Sequence, residues 1–109
     1  MFPAGKRNQS EAMGRQAIIE TLNAYFRTQP VLRAWLFGSF SRGEDTPESD
    51  VDILVTLDRA KPVGLKFFGM RSDIEELLGR RVDLVPDTAL QPSALPSVNR
   101  DKILVYERR

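Results

Sequence analysis

Asp50 and Asp52 stand at the head of an apolar run, Ile53-Leu54-Val55-Thr56-Leu57, and this is the feature that most limits what the chain can fold into. The run is short and rich in branched residues, as a buried strand is. Residues two apart on a strand point to the same face, about 6.6 Å apart along the rise, so both carboxylates aim at one place. Like charges held that close either raise a pKa or recruit a cation. A buried strand should not begin this way unless something offsets the repulsion.

The complementary half lies upstream. Val31-Leu-Arg-Ala-Trp-Leu-Phe37 reads as a first strand that delivers the chain to Gly38-Ser39, a small-residue turn able to open a short helix whose N–H groups can hold a phosphate. The connection from Gly38 to Ser49 is close to the minimum that a parallel crossover needs, so the second strand is predicted to return antiparallel. That places Gly38 and Ser39 beside Asp50 and Asp52. On the second strand Val51, Ile53, Val55 and Leu57 share one face, and Asp50, Asp52, Leu54 and Thr56 the other.

After a turn at 58–62, Phe67, Met70, Ile74, Leu77 and Leu78 recur at helical spacing and Gly79 offers a stop, although Gly64 and Gly69 weaken the first half of that helix. Arg81-Val-Asp-Leu-Val85 then reads as a third strand, ended by Pro86. Strand, helix and strand imply a parallel, right-handed βαβ unit. In it Val82 and Leu84 face one way and Asp83 the other, toward Asp50 and Asp52. A lone acid in an apolar strand costs stability unless it is paired or holds a metal. Three hard oxygen ligands of this kind suit Mg²⁺.

Elsewhere the sequence predicts packing rather than chemistry. Ser10 can cap a first helix in which Ile18, Leu22, Tyr25 and Phe26 form an apolar face, residues 1–9 read as a flexible leader, and Ile103–Tyr106 as a last short strand. Trp35 and Phe37 are expected in the core, and Glu107, Arg108 and Arg109 as a solvated tail. The sum is an α/β (α+β) chain, a small mixed β-sheet flanked by helices, in a single domain over residues 1–109. The absence of cysteine and histidine removes disulfides, thiol nucleophiles, Ser-His triads and imidazole acid–base chemistry together. Sixteen basic against fifteen acidic residues give a net charge of +1, which argues for neither nucleic acid nor an acidic membrane as partner. No run reaches the length of a membrane span, and a cytoplasmic location is expected.

Gly38-Ser39, Arg42-Gly43, Ser49-Asp50-x-Asp52 and Val82-Asp83-Leu84 together resemble the minimal nucleotidyltransferases (MNT proteins) of the DNA polymerase beta superfamily. The resemblance runs from the first helix to Val105-Tyr106-Glu107 and implies a polymerase beta palm-like sheet. It implies transfer of a nucleoside monophosphate, AMP from ATP, to a hydroxyl with release of pyrophosphate. Asp50, Asp52 and Asp83 would be the catalytic, metal-holding set, with two Mg²⁺ ions or Mn²⁺ in their place, and Asp83 nearest the acceptor. Gly38, Ser39, Arg42 and Ser49 would contact the nucleotide. Small members resemble antitoxins that act on a HEPN-domain toxin, some by adding AMP to a toxin tyrosine, so that partner is expected. Direct nucleic-acid binding is not expected, and self-association is left open.

Each residue alone has a plainer reading: a strand-exit turn at Gly38-Ser39, turn or cap residues at Asp50 and Asp52, an edge charge at Asp83. Arg42 is divided between a phosphate role and an ion pair with Glu44 or Asp45. A rival function is an antitoxin that neutralises its partner by binding alone.

Overall fold

The structure, a computed structural model, describes residues 14–44, 46, 49–60 and 64–108. Helix α1 (Arg15–Phe26) leads into strand β1 (Val31–Phe37), the one-turn helix α2 (Gly38–Ser41), strand β2 (Val51–Leu57) and helix α3 (Gly64–Leu78). Strand β3 (Val82–Pro86), two 3-10 turns (Asp87–Ala89 and Pro92–Ala94), helix α4 (Leu95–Asp101) and strand β4 (Ile103–Glu107) follow. The leader at 1–9, the Ser10 cap and the end of the turn at Pro62 lie outside the described residues.

The sheet runs β3-β2-β1-β4, with β1 antiparallel to β2 and β4, and β2 parallel to β3. Connection length explains the mixture. The short link between β1 and β2 favours an antiparallel return, whereas α3 supplies the span that a parallel crossover requires. Gly79, at φ +68°, ends α3, and its N–H donates to the Glu75 carbonyl at 2.8 Å.

Register then sorts the side chains. Ala34 lies opposite Val55, Leu36 opposite Ile53, Ile53 opposite Leu84 and Val51 opposite Val82. These residues share one face and are buried beneath Ile18, Leu22 and Phe26 of α1 and Met70, Ile74 and Leu78 of α3. The two helices are also tied by the Tyr25 hydroxyl, which donates to Asp73 Oδ2 at 2.7 Å. Burial, then the Asp73 carboxylate that accepts its proton, pushes the Tyr25 phenol well above its ordinary range. Among the described residues no helix is long and apolar enough to cross a membrane.

The other face carries Trp35, Phe37, Asp52, Leu54 and Asp83. Trp35 and Phe37 are therefore not part of the core beneath α1 and α3. They are half-buried, and the Lys102 ammonium sits 4.5 Å from the Trp35 ring centroid.

A second departure from expectation is at the C-terminal end. Arg108 is no solvated tail: its Nη1 donates to Asp58 Oδ2 at 2.6 Å and its N–H to the Leu32 carbonyl at 2.8 Å. Asp58 is only 8 % exposed and also accepts from the Ala60 N–H at 3.0 Å. Strand pairing at β4 brings the two together, a contact that sequence spacing does not reveal. Removing one partner of a buried ion pair leaves the other charge poorly compensated. Arg108→Ala is therefore expected to lower stability, by less than the loss of a partner from a fully buried pair because Arg108 keeps 35 % of its side-chain surface. A urea titration beside the wild type reads this as a lower midpoint at unchanged slope.

Candidate active site

Gly38 is the hinge of the site. Here β1 gives way to α2 at φ +71°, a conformation that disfavours any side chain. A Cβ built at Gly38 would overlap the Asp52 carboxylate and lie 3.1 Å from its Cγ. Glycine is required twice at this position, by its own backbone and by the carboxylate packed against it. Pairing of Phe37 with Asp52 across β1 and β2 sets this contact, which is the juxtaposition that the antiparallel return predicts.

The parallel ladder does the rest. Asp52 and Asp83 are register partners, so their side chains leave the same face of neighbouring strands that lie about 4.8 Å apart. Asp52 is half-buried and Asp83 exposed. Asp52 is pushed up to about 6, by partial burial first and then by the charges of Asp83 and Asp50, with Arg42 pulling in the opposite direction. All three acids thus share one electrostatic neighbourhood although Asp83 is far from the others in sequence.

Asp50 departs from the simplest picture. It lies one residue before β2, and its Oδ1 meets Arg81 Nε at 3.2 Å. Among the described residues, no three acidic side chains are gathered tightly enough, as they stand, to hold one ion. The donor chemistry nevertheless suits a divalent cation. Asp52 and Asp83 repel one another, and a cation between them would remove that cost. Asp50 would join them by giving up a partner that is 78 % exposed and so holds it weakly.

Ser39 is the second residue of α2, and its carbonyl accepts from the Glu44 N–H at 2.9 Å. The first N–H groups of a helix have no intrahelical acceptor, so this turn keeps donors near Asp52. Arg42 makes the ion pair with Glu44 that one of its two readings expects. Its Nε meets Glu44 at 3.0 Å and its Nη1 meets Asp101 at 3.6 Å, while its charge reaches Asp52. The Ser49 hydroxyl accepts from the Thr46 N–H at 2.9 Å, so it shapes the loop before β2.

Sequence reasoning missed the residues that hold this loop. Arg80 Nη2 donates to the Thr46 and Ser49 carbonyls at 2.8 Å each. Buried Phe40 anchors α2, with the Arg15 and Arg80 guanidiniums each 5.7 Å from its ring centroid. The available signal was the Arg80-Arg81 doublet between helix stop and strand, opposite in sign to the loop it would meet.

Comparison with known proteins agrees with this geometry. Residues 17–106 match the nucleotidyltransferase domain family. The protein adenylyltransferase MntA of Thermococcus cleftensis is 43 % identical over 70 residues, covering 64 % of this chain and 70 % of that protein. A solved minimal nucleotidyltransferase superposes with TM-score 0.72 at 30 % identity, over 91 % of this chain and 98 % of that one. A chain from the complex of the tri-AMPylated Shewanella oneidensis HEPN toxin with an MNT antitoxin gives TM-score 0.64 at 18 % identity, over 87 % and 74 %.

Proposed function

Because this chain belongs to the nucleotidyltransferase domain family, among the minimal nucleotidyltransferases of MntA type, we propose that it is a protein adenylyltransferase. Its reaction moves AMP from ATP to a tyrosine hydroxyl of a HEPN-domain toxin, and it acts as an antitoxin in the cytoplasm. The observation that carries this reading is the register pairing of Asp52 with Asp83 on the face against which Gly38 is seated. The donor half rests on the likeness to an adenylyltransferase, and the acceptor half on the AMPylated toxin of the Shewanella complex.

In this reading the N–H groups at Gly38 and Ser39 hold triphosphate oxygens, and Arg42 adds positive charge beside them. Ser49 holds the loop that borders the nucleotide. Asp83, the most exposed strand carboxylate of the set, takes the proton from the acceptor hydroxyl. The acceptor oxygen then bonds to the α-phosphorus while the bond from that phosphorus to the bridging oxygen breaks, and pyrophosphate leaves. Asp50, Asp52 and Asp83 would hold Mg²⁺ or Mn²⁺, which when bound supplies neutralisation of the triphosphate and of the charge that develops in an in-line displacement. None of these roles needs histidine. The whole of residues 1–109 is assigned to this one domain.

The test is to incubate the chain with ATP, Mg²⁺ and its HEPN-domain partner and weigh the partner intact. A mass gain of one or more AMP groups, with loss of toxin activity, is expected. Complete neutralisation with no gain in mass would overturn catalysis and leave binding alone as the antitoxin mechanism.

A further inference from the structure

Strand β3 is an edge strand, and its free edge is guarded unevenly. Val51 donates to the Arg81 carbonyl at 3.0 Å and pairs with Val82, so the parallel ladder takes the backbone groups of Arg81 and Asp83. Those of Val82, Leu84 and Pro86 turn outward. At Val82 both are occupied by α3: its N–H donates to Glu75 Oε2 at 3.0 Å, and its carbonyl accepts from Arg71 Nε at 3.1 Å. Pro86 has no N–H. Along β3, among the described residues, that leaves Leu84 with an outward N–H and C=O to which no side chain is bound.

A cavity of about 350 Å³ opens at that point, lined by Phe67, Phe68, Arg71, Asp83 and Leu84. Among the described residues Phe68 is the most exposed large apolar side chain at 74 %, its ring edge-on to Phe67 with centroids 6.1 Å apart. An open strand edge is ordinarily blunted. Here helix side chains and proline blunt it on both sides and leave one residue open, directly beside the carboxylate placed nearest the acceptor.

We propose that Leu84, Phe68 and Arg71 form the acceptor subsite, which takes an extended polypeptide segment carrying the reactive tyrosine. This rests on the reading of the site as an adenylyltransferase acting on protein. The occupant follows from the chemistry of the cavity. A donor and an acceptor on one residue are matched together by the C=O and N–H of another extended backbone, and the net charge of +1 offers no excess of positive charge for a phosphate chain. An exposed phenylalanine face receives an aromatic ring, and the Arg71 guanidinium at the rim receives a carbonyl or carboxylate of the segment. A segment bound this way carries a hydroxyl to Asp83.

Steady-state AMP transfer to the HEPN-domain partner is compared for wild type, Phe68→Ala and Phe68→Tyr. Affinity for a non-hydrolysable ATP analogue is measured calorimetrically in the same proteins. Phe68→Ala is expected to raise the KM for the partner about tenfold, with the nucleotide Kd unchanged and Phe68→Tyr near wild type. Amide hydrogen exchange supplies a second reading: Leu84 should exchange more slowly once the partner is bound. A KM within twofold of wild type for Phe68→Ala, or Leu84 exchange unaltered by the partner, overturns the subsite. If wild type transfers no AMP, the adenylyltransferase reading fails on that result, and Leu84 protection still decides whether the segment docks there.

Discussion

Gly38→Ala is expected to reduce AMP transfer by at least about 100-fold while costing the fold only about 1–2 kcal/mol. The two effects have separate causes. The stability cost is that of an L residue held at φ +71°, a local strain that the surrounding sheet can bear. The loss of activity comes from the added Cβ, which occupies the position of the Asp52 carboxylate. Asp52 must then rotate away or the β1–α2 turn must shift, and a displacement of about 1 Å at a reacting centre costs about two orders of magnitude. Turnover at saturating partner and ATP, set beside a urea midpoint, separates the two. Activity within tenfold of wild type would show that the close approach of Gly38 to Asp52 is not needed for the chemistry.

Asp52→Asn should eliminate measurable adduct formation, a loss on the order of 1000-fold or more, and yet should not destabilise the protein near neutral pH. The sign follows from the folded-state pKa of about 6 against an ordinary value of 3.8. Because folding raises this pKa, the group's contribution to stability is fully present below about 3.8 and is lost as pH rises through about 6. Above pH 6 the wild type carries a charged, half-buried carboxylate opposed by Asp83 and Asp50, and asparagine does not. In metal-free buffer the variant's melting temperature should match or exceed that of the wild type at pH 8, and the difference should shrink toward pH 4. Added Mg²⁺ should raise the melting temperature of the wild type and leave Asp52→Asn nearly unchanged, since a ligand stabilises only the state that binds it. A variant less stable than wild type at pH 8 without metal would mean that Asp52 serves the fold rather than the chemistry.

The opposition between stability and function at Asp52 accounts for much of what was legible beforehand. Apolar periodicity fixes a core only because burial is roughly proportional to area and indifferent to partners. The faces of β2 and β3 could therefore be assigned from alternation alone, and Asp52 and Asp83 stood out as residues that burial could not explain. Gly38 was legible for a related reason: a small residue at a strand exit leaves room for something.

What escaped the sequence was specific pairing. Alternation identifies an exposed or buried face but names no partner, and charged side chains are placed by whatever the fold brings near. Arg80 reaching the Thr46 and Ser49 carbonyls, Arg81 drawing Asp50 aside, and Arg108 closing on Asp58 all join residues from different elements. Trp35 shows the same limit: its strand is buried on one side, and parity alone did not say which side the helices would cover.

By itself the amino-acid order determined the strands, the two long helices, the mixed pairing of the sheet and the placing of Asp52 and Asp83 on one face beside a glycine turn, because period and connection length constrain each of these locally. Tertiary structure alone decided how close Gly38 lies to Asp52, which guanidinium neutralises which acid, and where the edge of β3 stays open. Those depend on distances between segments remote along the chain, and Coulomb and hydrogen-bond energies change steeply over the few ångströms that register and packing set.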